Sequence, residues 1–493
     1  TRSYYITTYD TNGVANGIRN DVFDAPSAFY ESADLRNNYE FDSVTTSFIS
    51  RFMSFFGRVN YQYKGKYLAQ LVLRSDGSSR FGPNNRFGYF PSVSAGWIIS
   101  EENWMKENRI INYLKLKTSI GWIGNANLTN TEFVARYNYA SQAYDGRDIL
   151  YPLNNPNPDL RWETTQVIDL GLEYGLFEDR ITGELAYYRK NTTDVLLNVT
   201  LPRVSGFSNF YDNVGGLLNE GFEFQIKSRN LVGDFRWTTD FNIAYNHNEI
   251  VSLGGYSPDA VGGGTNDTRT IVGEPVGTNF LVRFSHVDPT TGRPVYLDID
   301  GNPTFVWDPA NRVPVGNVLP DAVGGITNNF GYKQWDLSVL FVFTIGSDIY
   351  DSSSKRQLGR MDDWNKTPQI FDRWRAPGDE ALYPLLTLDA ANHGSNTPWI
   401  NTDQWIHDGS FLRLRNVTLS YRLNRNQLEK LGLKGAQISF IGTNLLTFTT
   451  YPGLDPEIAR DFENATDRNM SVNITYLTPP QERTYSVRVN VNF

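Results

Sequence analysis

From Tyr485 to the end of the chain, apolar and polar residues alternate without a break. Tyr485, Val487, Val489, Val491 and Phe493 fall on one side of an extended strand, and Ser486, Arg488, Asn490 and Asn492 fall on the other. One side suits lipid and the other water, although a half-buried strand of a soluble sandwich alternates in the same way. The pattern recurs upstream. Leu337, Val339, Phe341, Phe343 and Ile345 oppose a row containing Asp336, Ser338 and Thr344. Leu114, Leu116, Thr118, Ile120 and Trp122 oppose Lys115, Lys117, Ser119 and Gly121. Phe235, Trp237, Thr239, Phe241, Ile243 and Tyr245 oppose Arg236, Thr238, Asp240, Asn242 and Asn246. Thirteen such segments lie near 48–63, 67–75, 91–100, 113–123, 164–174, 181–190, 220–229, 235–247, 321–333, 335–346, 411–423, 435–446 and 482–493. A strand needs roughly 9–11 residues to cross a bilayer, whereas sandwich strands average about five or six. The lengths predict an all-β chain that forms a transmembrane antiparallel barrel.

The connections support that reading. Short ones (64–66, 101–112, 175–180, 230–234, 333–334, 424–434) alternate with long ones (124–162, 191–219, 248–320, 347–410, 447–481). Outer-membrane barrels have short periplasmic turns and long external loops, and a sandwich has no reason to keep this parity. If the last strand ends at the periplasmic side, thirteen strands place the start of the first one outside. Residues 1–45 are then an external loop segment, and 46–493 are the C-terminal part of a barrel.

Composition narrows the alternatives. The chain of 493 residues has 45 Lys and Arg against 54 Asp and Glu, a net charge of −9, which argues against a nucleic-acid partner. It has no Cys, so disulfides and thiolate chemistry are excluded. Mean hydropathy is −0.42, and no run approaches the ~18 apolar residues of a membrane helix, a test that barrel strands escape. Aromatic residues make up 14%, which suits interfacial girdles and also carbohydrate-binding surfaces.

Candidate chemistry is sparse. Asp298-Ile299-Asp300-Gly301-Asn302 has the look of a calcium loop but lacks EF-hand spacing and a closing Glu, so paired β-turns are the simpler reading. Gly262-Gly263-Gly264 is followed by no Gly-Lys-Ser/Thr. His247, His286, His393 and His407 are scattered, with no metal-ligand spacing. No Gly-x-Ser-x-Gly elbow is present, and nothing singles out a pair of glycosidase carboxylates. No catalytic residue, metal ligand or cofactor site is therefore expected. The loop 347–410 carries Trp364, Trp374, Trp399 and Trp405 among Asp and Arg residues, a mix suited to stacking on a polar ligand and equally to burial within the loop.

Several stretches resemble the SusC/RagA-type TonB-linked outer-membrane transporters. They are Ser54–Tyr61 (SFFGRVNY), Leu73–Gly82 (LRSDGSSRFG), Gly88–Trp97 (GYFPSVSAGW), Asn157–Glu163 (NPDLRWE), Asn213–Gly216 with Asn219–Glu223, Gly324–Asn328 (GGITN), Phe411–Val417 (FLRLRNV) and Gly442–Leu445 (GTNL). The resemblance implies the C-terminal ~13 strands of a plugged barrel of about 22 strands. It implies import of an oligosaccharide or oligopeptide, capping by a SusD-like surface lipoprotein and energy from TonB. The plug and remaining strands would come from a further chain or fragment. The alternating row from Tyr485 through Val487, Val489 and Val491 to Phe493 resembles the C-terminal signal read by barrel-assembly machinery. Two alternatives stay open from the residues alone: a structural or secretion-associated barrel without import, and a secreted polysaccharide-binding β-protein.

Overall fold

The computed structural model describes residues 2–3, 6–9, 15–19, 46–47, 50–128, 132–144, 147–152, 154–207, 209–261, 268–359, 365–386, 401–457, 474–475 and 478–493. Most of the predicted external segment 1–45 lies outside them. One antiparallel sheet dominates. Its strands are β1 (Phe52–Tyr63), β2 (Tyr67–Ser78), β3 (Ser92–Ile98), β4 (Ile111–Asn125), β5 (Glu163–Leu176), β6 (Ile181–Thr193) and β7 (Gly216–Leu231). They continue with β8 (Phe235–Ser252), β9 (Ala322–Tyr332), β10 (Trp335–Ile345), β11 (Phe411–Arg422), β12 (Gly435–Thr449) and β13 (Thr484–Asn492). Each of the thirteen overlaps one alternating segment of the sequence. Spatial order equals chain order from β1 to β13, the topology of an up-and-down barrel wall, and a short fourteenth strand, Phe87–Tyr89, adds to β2.

Register keeps the two rows of each strand on opposite faces across the whole sheet. The pairs Lys117 with Gly171 and Glu173 with Glu184 share one face, as do Gln225 with Asn242, Gly325 with Val342 and Val342 with Arg413. The opposite face carries Leu71, Leu73, Val93, Leu170, Leu185, Phe222, Phe440 and Val487, all exposed. A large apolar surface facing outward on a wall with a charged inner row is the division that lipid outside and water inside require. β7 and β8, with 16 and 18 residues, outrun a bilayer crossing and project beyond it at the long-loop end.

The wall's two ends differ. At the short-turn end lie residues 64–66 and 333–334, and one turn is helical. In it, α1 (Arg425–Leu431) opens on a capping box in which Asn424 and Gln427 exchange side-chain-to-backbone bonds, and it closes at Gly432, whose φ of 66° suits glycine. At the other end, segments 268–318, 347–359, 365–386, 401–408 and 474–475 build a separate small unit. It contains a four-stranded sheet through Asn279–Val287, Pro294–Leu297, Pro303–Thr304 and Arg312–Val315, and a three-stranded one through Asp348–Asp351, Ile406–Asp408 and Ile474–Thr475. Its core is Leu281, Val282, Tyr296, Tyr350, Leu358, Ile370, Trp405 and Ile474.

Candidate functional site

The inner face of the wall carries polar and charged residues, several of them paired across strands. On β4, β5 and β6, Lys117 reaches Glu184 at 2.5 Å and Glu173 at 3.0 Å, while Lys115 reaches Glu173 at 3.2 Å. Ser119 donates to Asp169 at 2.9 Å. Further along, Lys227 faces Asp240 at 3.4 Å. Asp336 holds Arg236 at 3.4 Å and also Arg422. Side chains on facing positions of one face lie close enough to interact, so alternation alone brings these residues together. Their part-exposed pairs contribute little stability and mainly keep the face wet.

A tighter cluster ties a long loop to this face. Opposite a register shift between Leu414 and Asn416 on β11, Asn444 of β12 takes a left-handed φ of 55°. Such a bulge re-aims a side chain that regular pleating would hold elsewhere. Arg415 donates to Asn444 at 2.9 Å and to Gln481 at 3.0 Å, and it pairs with Glu457. Arg413, 1% exposed, pairs with Asp455 and lies 3.2 Å from Glu457. Asp455 also accepts the backbone N–H groups of Glu457 at 3.0 Å and Gln481 at 3.1 Å. Burial alone would raise the Asp455 carboxyl, but Arg413 and the two N–H groups outweigh it and hold the group below the usual carboxylate range. Both legs of the segment between β12 and β13 are thus clamped to the wall.

Two sequence stretches far apart in the chain, 73–82 and 157–163, meet above β2 and β5. Phe81, Phe90, Leu128, Leu160 and Trp162 form a buried cluster. Trp162 donates to the Arg86 carbonyl at 3.0 Å, and Arg80 donates to that of Ala126 at 2.9 Å. Gly82 packs so tightly on Pro158 that a Cβ would sit 2.2 Å from the Pro158 carbonyl oxygen.

Of the four tryptophans in the loop 347–410, Trp374 and Trp405 are described. Trp364 and Trp399 lie outside the described residues. Trp405 is 2% exposed and stacked 6.2 Å from Tyr383, so its ring serves the core of the unit in this conformation. Trp374 is half-buried, donates to the Pro289 carbonyl at 2.9 Å and covers Gly292, where a Cβ would sit 2.5 Å from its ring and where the φ of 70° itself favours glycine. Beside it Phe371 is exposed, with the Arg375 guanidinium 5.9 Å over its ring, and Asp379 accepts from the backbone of Arg375 and Ala376. The arrangement can stack on and hydrogen-bond a polar ligand. Arg375 and Asp379 are among the charged residues that the sequence sets beside the tryptophans, whereas nothing in the sequence points to Phe371.

Other titratable groups in this unit are structural. Burial pushes His407 below its usual pKa and raises Asp348 and Asp403, the latter accepting the Phe284 N–H at 2.7 Å. Burial, aided by Asp351, pushes Tyr451 up to about 12. The Asp298 carboxylate accepts both the backbone N–H (2.8 Å) and the side-chain amide (3.2 Å) of Asn302, so its oxygens close the turn. Among the described residues no three His, Asp or Glu side chains come close enough to hold a metal ion. Phe493 is 84% exposed, and Tyr485, Val487, Val489 and Val491 share the outer face of β13 with it.

Comparison with known proteins gives a consistent result. The family model for the TonB dependent receptor-like β-barrel matches residues 2–445. TonB-dependent receptor P26 of Formosa agariphila is 33% identical over 513 residues, covering 99% of this chain and 50% of that protein. TonB-dependent receptor SusC of Bacteroides thetaiotaomicron is 30% identical over 432 residues, covering 82% of this chain and 41% of its own length. The solved RagAB peptide transporter superposes with a TM-score of 0.80 at 25% identity, over 93% of this chain and 49% of that one. The chain spans about half the length of the curated relatives it matches.

Proposed function

The chain belongs to the TonB-dependent receptor-like β-barrel family of the outer membrane, and from that premise we propose that it forms part of an active importer for a large nutrient. The observation that carries the reading is the wall itself: thirteen strands with an apolar outer face and a paired, hydrated inner face, crowned at one end by a folded unit with exposed aromatic and guanidinium groups. The long-loop end faces outward and captures cargo. A SusD-like surface lipoprotein covers it, and TonB supplies energy through parts of the protein beyond this sequence.

The cargo is an oligopeptide or an oligosaccharide. A solved relative described as a peptide transporter supports the first class, and the resemblance to SusC-type transporters motivates the second. Trp374 with Phe371 and Arg375 forms the contact surface for that cargo. Family members are transporters, and no covalent step is assigned to this chain.

Uptake by cells carrying or lacking the gene, measured with labelled oligopeptide and labelled oligosaccharide pools, tests the reading. Loss of uptake of one pool on deletion, and co-purification of a surface lipoprotein in detergent, are expected. Unchanged uptake of both pools and purification without a lipoprotein would instead favour a barrel with a structural or secretory role.

A further inference from the structure

The short-turn rim between β9 and β12 carries an arrangement that neither barrel closure nor cargo import uses. Tyr332, Trp335 and Tyr421 continue the outer rows of their strands to the rim. Tyr332 and Trp335 are nearly half exposed, and Trp335 lies 4.8 Å from Tyr421. The Tyr421 hydroxyl donates to Gln427 at 3.2 Å, which docks α1 against this aromatic patch. Along this rim lie Lys333 in the β9–β10 turn, Arg425 and Lys430 on α1 and Lys434 after it, and the acids beside them are Glu429 and, on the inner face with Arg422, Asp336. The two acids are engaged by arginines, Asp336 by Arg236 and Arg422, and Glu429 by Arg425 at 2.8 Å. Lys333, Lys430 and Lys434 have no carboxylate partner among the described residues, in a chain whose net charge is −9.

Lys333 is placed against backbone preference. Its φ is 51°, the left-handed region that a side chain disfavours, and its ammonium lies 5.2 Å over the Tyr332 ring. The turn between β1 and β2 repeats the geometry: Lys64 has φ 52° and lies 5.2 Å over the ring of Tyr63. A turn needing φ > 0 is served best by Gly or Asn. Lysine there twice, each time set on an interfacial ring, puts an ammonium at the level where rings meet headgroups.

We propose that this arc, Lys333 with Lys430 and Lys434 around Tyr332 and Trp335, binds the anionic headgroups of phospholipids in the leaflet at the short-turn end. Lysines near a charged membrane surface attract anionic lipid, and the rings fix their depth. The assignment depends on the lipid-facing wall and not on the cargo, so it stands or falls independently of import.

The full-length receptor, reconstituted in phosphatidylcholine bilayers, is titrated with spin-labelled phosphatidylglycerol or spin-labelled phosphatidylcholine, and the motionally restricted fraction is read. The expected result is a several-fold preference for phosphatidylglycerol, from a contribution on the order of fivefold per lysine at the surface before screening. Lys333→Gln, Lys430→Gln and Lys434→Gln together should lower the preference at least about twofold, and the three Lys→Arg changes should keep it. Heat-modifiable gel mobility verifies that each variant is folded. A wild-type ratio near one, or a ratio unmoved by the triple change, would overturn the proposal. Displacement of the labelled lipid by inorganic phosphate alone would assign the cations to free phosphate and would also overturn it. So would an unmoved ratio together with crosslinking of Lys430 to a periplasmic protein.

Discussion

Replacing Arg413 by alanine should release the loop between β12 and β13 from the wall without dissolving the wall. The guanidinium is 1% exposed and faces two carboxylates, of which Asp455 is 8% exposed. Removing one partner of a buried pair costs about 3–5 kcal/mol, because the remaining charge is left unpaired. Here the cost falls below that range. Arg415 still holds Glu457, and two backbone N–H groups still hold Asp455, so about 2–3 kcal/mol is expected. That corresponds to roughly 30- to 150-fold faster local opening. Hydrogen exchange of the full-length receptor in detergent should show the increase in 452–457 and 478–483, while amides of β5 to β8 keep their rates. Arg413→Met combined with Asp455→Leu should recover much of the protection, because burying two apolar groups leaves no lone charge. A rise below about fivefold, the effect of a solvent-exposed ion pair, would refute the clamp.

Glu102, at the short turn after β3, accepts from Lys66 (2.8 Å), Tyr67 (2.7 Å) and Trp97 (3.1 Å), which lower its pKa to about 2. A carboxyl with a depressed folded pKa stabilises above its unfolded value and loses that stabilisation as pH falls, so thermal stability should drop between about pH 4.5 and 2, and Glu102→Gln should flatten this part of the profile. Trp405→Ala should destabilise the external unit by about 3–5 kcal/mol, seen as protease sensitivity within 268–318 and 401–408, whereas Trp374→Ala should leave protease resistance intact and weaken cargo binding. Gly82→Ala should separate the 73–82 and 157–163 stretches, since the added carbon meets a backbone oxygen that cannot turn aside, and quenching of Trp162 fluorescence by a soluble quencher should increase.

The wall was legible because each of its strands divides lipid from water with a period of two, and no other signal in the chain competes with it. Even so, β7 and β8 start earlier or run later than their hydrophobic rows, since beyond the bilayer the outer face needs no apolar residue. What escaped reading depends on contacts between distant positions. The strand Asp348–Asp351 pairs in parallel with Ile474–Thr475, and no local periodicity announces a partner so far along the chain. The bulge opposite Asn444 is invisible in an alternation that resumes beyond it. Trp405 and Trp374 sit in one loop with similar neighbours, and only packing separates a core ring from one at the edge. The helix α1 carried a readable sign, Asn424 three residues before Gln427, inside a segment treated as a plain turn.

The strict pairing of chain neighbours along the wall has a consequence for how such a protein diversifies. Every long loop joins two strands that are separated in the sheet by no third strand, whether it spans 79–91 or 253–321. Closing a flexible loop costs only about 0.6 kcal/mol more per doubling of its length. Whole loops can therefore be lengthened, folded into units of their own or exchanged between relatives while each strand keeps its register. Recombination at the strand ends gives a lineage new binding surfaces on an inherited barrel, and the same boundaries mark where an engineered loop graft would be accepted.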